Sequence, residues 1–330
     1  MKRLGETTIL AAVSLGCVLA GTGCASGGTA AAPAAMRPAS TPSATPTPSS
    51  VLQYQPPIAA YQLTPLQNAE EDYLAQRLEQ LCLGKLGFSF LPGLSDKVIA
   101  QGVRITDEFE SRLYGVSDPV AVRTYGYHLP SWVQGTGQPE SAADLGTAEW
   151  AALTGKGPSP AGRPGTRGGC SGQAERELQQ AGINASAQQS GGSDPSTLTS
   201  SVQLASFERA QSSPPVRAVF ARWSACMRGY GDHYATPFTA AADPRWTRSA
   251  TPSRLEIQIA EHDIGCKLRV NVLGVEFAVV SRYQDQAITA RAAAFAQAKN
   301  IIASEALGLR RLMASVPTSA TPSPPVPTRG

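Results

Sequence analysis

The chain has 330 residues and is nearly electroneutral, with 28 Lys+Arg against 25 Asp+Glu and a net charge of +3. No basic run concentrates that small excess, so there is no electrostatic footprint for nucleic acid. Most of the chain is apolar enough to bury a core, and only the two ends are not.

The N-terminus opens with Lys2 and Arg3, followed by an apolar stretch from Ile9 to Ala20. That is the layout of a signal peptide, and the stretch is too short to span a bilayer as a helix. Gly21-Thr22-Gly23-Cys24 comes next. It resembles a bacterial lipobox, whose cysteine is lipidated and becomes the first mature residue. Residues 1–23 are thus expected to be a lipoprotein signal peptide, with Cys24 carrying the lipid anchor to the membrane. Gly21 departs from the usual Leu, and Cys17 is a rival acceptor that would leave a very short apolar region. Ordinary secretion, with cleavage near Ala25, is the alternative. Residues 24–50 carry a single charge, Arg37, among Ala, Ser, Thr and Pro. Such a segment cannot bury enough surface to order itself and is expected to be a disordered tether. Residues 316–330 have the same character, and no later segment is long and apolar enough to cross a membrane. The folded body is therefore placed at residues 51–315, as two weakly similar parts at about 51–185 and 196–315.

With Cys17 removed and Cys24 lipidated, Cys82, Cys170, Cys226 and Cys266 remain. An even number in an oxidising compartment reads as two disulfides. There is no C-x-x-C, so neither a thioredoxin-like pair nor a zinc knuckle is expected.

The folded body reads as mainly α-helical, disulfide-stapled and extracytoplasmic, with long loops. The first helix covers residues 65–88: Thr64 caps it, Pro65 suits the first turn, and Leu74, Leu78, Leu81 and Cys82 form one apolar face. A mixed region follows to about Trp132, in which Ser117 or Asp118 starts one short helical turn. Residues 147–155 form a short helix ended by Gly155, and residues 168–182 a helix with Cys170 at its entrance. Gly- and Pro-rich loops flank the latter. Further helices are read at STLTSSVQLASFERAQ, at PPVRAVFARWSACMRGYG, and at TPSRLEIQIAEHDIGCKL with Thr251 as cap. Last comes a long helix over about 274–314. Its residues Ile288, Phe295, Ile302 and Leu309 recur every seven positions, a seam wide enough for one neighbouring helix. That neighbour is taken to be this domain, with a protein partner docking on the 274–314 helix as the alternative.

A weak internal repeat bears on the disulfides. LEQLCLGKLGFSFLP and RWSACMRGYGDHYATP each carry a helix reaching a cysteine, then Gly (Gly87, Gly231), an aromatic (Phe90, Tyr234) and Pro (Pro92, Pro237). Cys170 and Cys266 each follow a glycine beside or within a helix. Four cysteines allow three connectivities, and the repeat favours Cys82–Cys170 with Cys226–Cys266.

Chemistry-bearing residues are sparse. Cys226, Met227 and His233 are soft ligands suited to Cu(I), but neighbours on a helix point about 100° apart and Cys226 has a disulfide partner available. His233 and His262 with Asp232 or Asp263 are the alternative metal or acid–base set, though the histidines lack a ligand spacing such as H-E-x-x-H. No G-x-S-x-G elbow is present. The best ligand-facing candidates are Tyr125, Tyr127, His128 and Trp132, because loop aromatics stack on sugars or peptides. The competing reading has them clip a long connection onto the core. Trp223 is read as a core residue covering a bridge. No cofactor, metal site or catalytic residue is assigned.

These residues also compose motifs. W-x-x-C-M-x-x-x-G at 223–231, E-x-x-x-A-E-H-D-x-x-C-K at 256–267, YGVSDP at 114–119, YGYHLP at 125–130 and GGCSGQAERELQ together resemble a family of secreted actinobacterial proteins. The resemblance spans most of residues 65–312, and His262 departs from the commoner pattern. It implies export or lipidation and a cysteine framework, and nothing catalytic. The expected function is thus a non-enzymatic binding or interaction protein, anchored to the envelope outside the cell. Alternatives are an extracytoplasmic hydrolase of cell-wall material using His128, His233 or Asp263, and a metal-binding envelope protein.

Overall fold

The computed structural model describes residues 45–47, 51–88, 96–134, 146–156, 167–183 and 194–317. The signal segment, Cys24, most of the tether, nearly all of the Pro-rich tail, much of the Gly-rich loops, and Phe90 and Pro92 of the repeat lie outside the described residues. Within them are twelve α-helices and no strand.

Two 3-10 turns, Val51–Gln53 and Pro57–Tyr61, lead into α1 (Pro65–Lys85). The expected cap holds: the Thr64 hydroxyl accepts from the Gln67 N–H while the Gln67 side chain accepts from the Thr64 N–H. Next come α2 (Asp96–Ser111), α3 (Val122–Tyr125), α4 (Ser131–Gln134), α5 (Thr147–Thr154) and α6 (Gly169–Gln180). The region read as mixed therefore contains a full helix, α2, that the sequence did not announce. Asp118 starts the turn just ahead of α3, its carboxylate accepting from the Val120 and Ala121 N–H groups, and α3 itself follows Ala121 without a side-chain cap.

The remaining helices are α7 (Pro195–Gln211), α8 (Pro214–Arg228), α9 (Pro237–Ala241), α10 (Arg254–Val270), α11 (Val272–Ala290) and α12 (Ala292–Ser315). Two sequence expectations need correction. Ser253, not Thr251, caps α10 by accepting from the Glu256 N–H at 3.1 Å. That start puts Glu256 in the first turn, where its side chain turns inward instead of to solvent. The expected 274–314 helix is present in two pieces, because Arg291 leaves helical geometry at φ −124°, ψ 35°. A straight helix of that length would run about 60 Å, more than a domain of this size is wide. The break lets α11 pack on α7 and α8 while α12 turns back over α1 and α7.

The seam on α12 is covered by the chain itself. Phe295 is buried with Ile58, Leu198 and Val202, and Leu309 with Leu74, Leu78 and Leu178. Buried Arg77 on α1 donates to the Pro317 carbonyl at 2.7 Å, holding the end of α12 against α1. The largest core lies among α8, α10 and α11 and includes Val216, Phe220, Trp223, Met227, Ile259 and Leu273.

The pairing favoured by the repeat is the one present: Cys82–Cys170 joins α1 to α6, and Cys226–Cys266 joins α8 to α10. Two disulfides suit an oxidising, extracytoplasmic compartment. Among the described residues no helix is long and apolar enough to cross a membrane.

Candidate functional site

The aromatic segment singled out by sequence is a clip. Buried Glu256 receives the Tyr127 N–H at 2.9 Å, the His128 N–H at 3.2 Å and His128 Nδ1 at 2.7 Å, all on one carboxylate oxygen. Gly126 makes this approach possible: its φ is +53°, and a Cβ there would lie 2.8 Å from that same oxygen. The Tyr127 hydroxyl donates to Asp263, and its ring stacks on Trp246 at 5.8 Å. Trp132 lies under the Arg104 guanidinium at 4.4 Å. Tyr125 is part-buried beside them. Tyr127 and His128 thus fasten their loop to α10 through Glu256 and Asp263, as the competing reading expects, while Trp132 packs on α2.

Burial works to lower the His128 pKa, but the hydrogen bond to Glu256 and the Ser249 carbonyl outweigh it, and the net shift is upward. A histidine with a raised folded pKa adds stability that is lost as pH rises through that pKa.

The Cys226–His233 stretch is also structural. Cys226 is in a disulfide, so no thiolate is available there, and Met227 is fully buried. This overturns the Cu(I) reading. Asp232 binds His262 Nδ1 at 2.7 Å, and the His262 ring stacks on Tyr230 at 4.1 Å. His233 is exposed on the surface. No group of three or more His, Cys, Asp or Glu able to hold a metal occurs among the described residues. Asp263, the third acid–base candidate, is sealed in the core by Lys267, Trp223 and Tyr127. His233 is thus at the surface, while His128 is engaged by Glu256 and Asp263 by Lys267, Trp223 and Tyr127.

The structure instead opens a cavity of about 760 Å³ elsewhere. The two 3-10 turns form one wall, with the start of α1, the end of α2, the start of α7, and parts of α11 and α12 around it. Its size is that of a drug-sized ligand site. Gln284 on α11 accepts the Ile58 N–H at 3.1 Å and so ties the second turn to the helical body. Tyr54 stacks flat on Phe277, ring centroids 3.8 Å apart, making an aromatic wall.

Buried hydroxyls normally find a hydrogen-bond partner, and two phenols on this cavity find none among the described residues. The Tyr54 hydroxyl is buried without a hydrogen bond. Tyr114 is only 2% exposed and lines the cavity, and its hydroxyl bonds to no described residue. Burial pushes both phenols well above the ordinary tyrosine range, with the Glu276 carboxylate adding to the effect on Tyr114.

The charged lining is one-sided. Glu71, Asp107, Glu110, Asp194 and Glu305 contribute to it, and no described lining residue is Lys, Arg or His. Partial burial and the neighbouring Asp107 carboxylate raise the Glu110 pKa. Burial opposes ionisation of Asp194, but the Ser196 and Thr197 donors it caps outweigh that and hold it at about 2.

Glu276, behind Tyr114, carries a testable consequence. Burial pushes its carboxyl to about 7 from an ordinary 4.5, although the Gln211 amide and Lys267 pull the other way. Gln211 reaches one oxygen at 2.9 Å, and the other has no partner. Between those two pH values the folded state holds the extra proton, so stability falls as pH rises through that window. A shift of that size amounts to roughly 3 kcal/mol by pH 8. Glu276→Gln is expected to flatten the decline in melting temperature between pH 5 and pH 8. Calorimetry showing the parental slope in that variant would refute this.

Sequence reasoning missed the cavity because its lining comes from many separated segments. The one local signal was YQPPIAAY at 54–61, two tyrosines around a proline pair just after the tether. No protein-family model, curated protein or solved structure matches this chain.

Proposed function

We propose that this chain is an envelope lipoprotein, anchored outside the cell through Cys24, whose helical body binds a small ligand in the cavity beneath its N-terminal turns. The observation that carries this reading is a ligand-sized cavity bordered by the Tyr54 hydroxyl, which is buried without a hydrogen bond, and by the Tyr114 hydroxyl, which bonds to no described residue. An unsatisfied buried polar group costs about 1 to 3 kcal/mol, and a ligand supplying the missing partner recovers it. The disulfides support the extracytoplasmic placement, and the resemblance to secreted actinobacterial proteins agrees with it. Binding is favoured over hydrolysis because His128, His233 and Asp263 do not meet at this cavity. The covered seam on α12 leaves less apolar surface there for a protein partner.

The test is native mass spectrometry of the purified chain with low-molecular-mass extract from a bacterial culture. Gln203→Trp on α7 places an indole in the cavity and serves as the control. The parent is expected to acquire a discrete adduct that the variant does not. An extract giving no adduct, or the same adduct with both proteins, would count against the cavity as a binding site.

A further inference from the structure

Resting on that reading, we infer that the cavity selects an organic cation: a protonated amine or quaternary ammonium carried on an apolar or aromatic body.

The argument starts from charge. The whole chain has more basic than acidic side chains, 28 against 25. The cavity nevertheless gathers five carboxylates and no described basic side chain. A concave, partly dehydrated site lined by one sign of charge focuses its field on the opposite sign. The second observation is independent of the carboxylates. Tyr114 is nine-tenths buried or better, lines the cavity, and has a hydroxyl that bonds to no described residue. A phenol oxygen accepts from an ammonium N–H, and the Tyr54–Phe277 stack adds ring faces of the kind that attract cations.

Two further features choose among cations. The lining carboxylates do not converge into a set able to hold a metal ion, which disfavours Ca²⁺ or Mg²⁺, ions that require several oxygens around one point. The apolar part of the lining, including Ile58, Leu113 and Phe277, asks for a hydrophobic body attached to the charge. Asp107 and Glu110 sit one helical turn apart on α2 with their carboxylates in mutual repulsion, which a cation between or above them relieves.

The experiment uses three fluorescent probes read by fluorescence anisotropy: rhodamine 6G, a cation; fluorescein, an anion on the same three-ring frame; and Nile red, a neutral dye. The parent is expected to bind rhodamine 6G at least tenfold more tightly than either other dye, with affinity falling as NaCl is raised. The pair Asp107→Asn and Glu110→Gln, neither of which breaks an observed bond, is expected to weaken rhodamine 6G at least tenfold and leave Nile red unchanged. Circular dichroism checks that both variants fold. Equal or tighter binding of fluorescein or Nile red, abolished by Gln203→Trp, overturns the cation class and leaves the binding reading standing. Rhodamine 6G binding that survives both the neutralised pair and Gln203→Trp is surface adsorption and overturns the inference. Failure of all three dyes to bind overturns it as well, and the culture-extract experiment then decides the binding reading separately.

Discussion

Replacing Cys82 and Cys170 together with alanine is expected to lower the stability of the fold by roughly 4 to 5 kcal/mol on the chain-entropy account. The bridge closes a sequence separation of 88 residues, against 40 for Cys226–Cys266, so the second pair gives a slightly smaller loss. Loop length enters only logarithmically, and the two values differ by less than about 1 kcal/mol. Packing separates them more clearly. Cys82 and Cys170 are buried with Leu83 and Ala152, whereas Cys226 is part-exposed and touched by the Arg269 guanidinium. Mild reductant is therefore expected to open Cys226–Cys266 first. Urea unfolding of the two double-alanine variants, with thiol counting during titration by reductant, checks both statements. An unchanged urea midpoint in C82A/C170A would show that packing alone holds α1 against α6.

The parts of this fold legible in sequence are those governed by local chemistry. Thr64 with Gln67 three residues later writes a helix start that no tertiary contact needs to supply. Gly155, at φ +69°, ends α5 because a left-handed residue is required there. The disulfide pairing was readable because two segments repeat the same order of helix, cysteine and glycine. Trp223, beside a cysteine, is indeed in the core, with its indole N–H on Asp263 at 2.9 Å.

What failed to show locally is what depends on neighbours. Helix α2 contains Val98, Ile99, Val103 and Ile105 around Gly102, a composition that favours extended chain. Its glycine is a packing device: a Cβ at 102 would come within 2.9 Å of the Ala69 Cβ on α1. The close crossing with α1 overrides the propensity. Arg291 breaks the C-terminal helix for a similar reason, since one straight seam cannot meet α7, α8 and α1 in turn. Glu256 looked like an ordinary first-turn acid and is the anchor of the clip, because its three donors lie more than a hundred positions away.

Lys267→Met is expected to cost about 3 to 5 kcal/mol, the range for removing one partner from a buried ion pair. Lys267 Nζ lies 3.0 Å from Asp263 and donates to the Val116 carbonyl at 2.8 Å, with both charged side chains out of contact with water. The pair alone is not the source of stability, because burying two charges costs about as much as their attraction returns. The loss comes from what the variant leaves behind: a carboxylate facing only the Trp223 and Tyr127 donors, and a carbonyl with one donor fewer. Burial already raises the Asp263 pKa against the pull of Lys267. Without that pull the carboxyl protonates more readily, so the defect is expected to be smaller at pH 5 than at pH 8. Adding Asp263→Asn removes the orphaned charge and is expected to recover a substantial part of the loss at pH 8. Urea unfolding of the two single variants and the double, at both pH values, closes the cycle. A loss below about 1 kcal/mol for Lys267→Met would mean that water reaches this site and that the charges are not buried. The same lysine holds the Val116 carbonyl, so the variant loosens the chain ahead of the segment that Glu256 clips, while Asp263 still holds Tyr127.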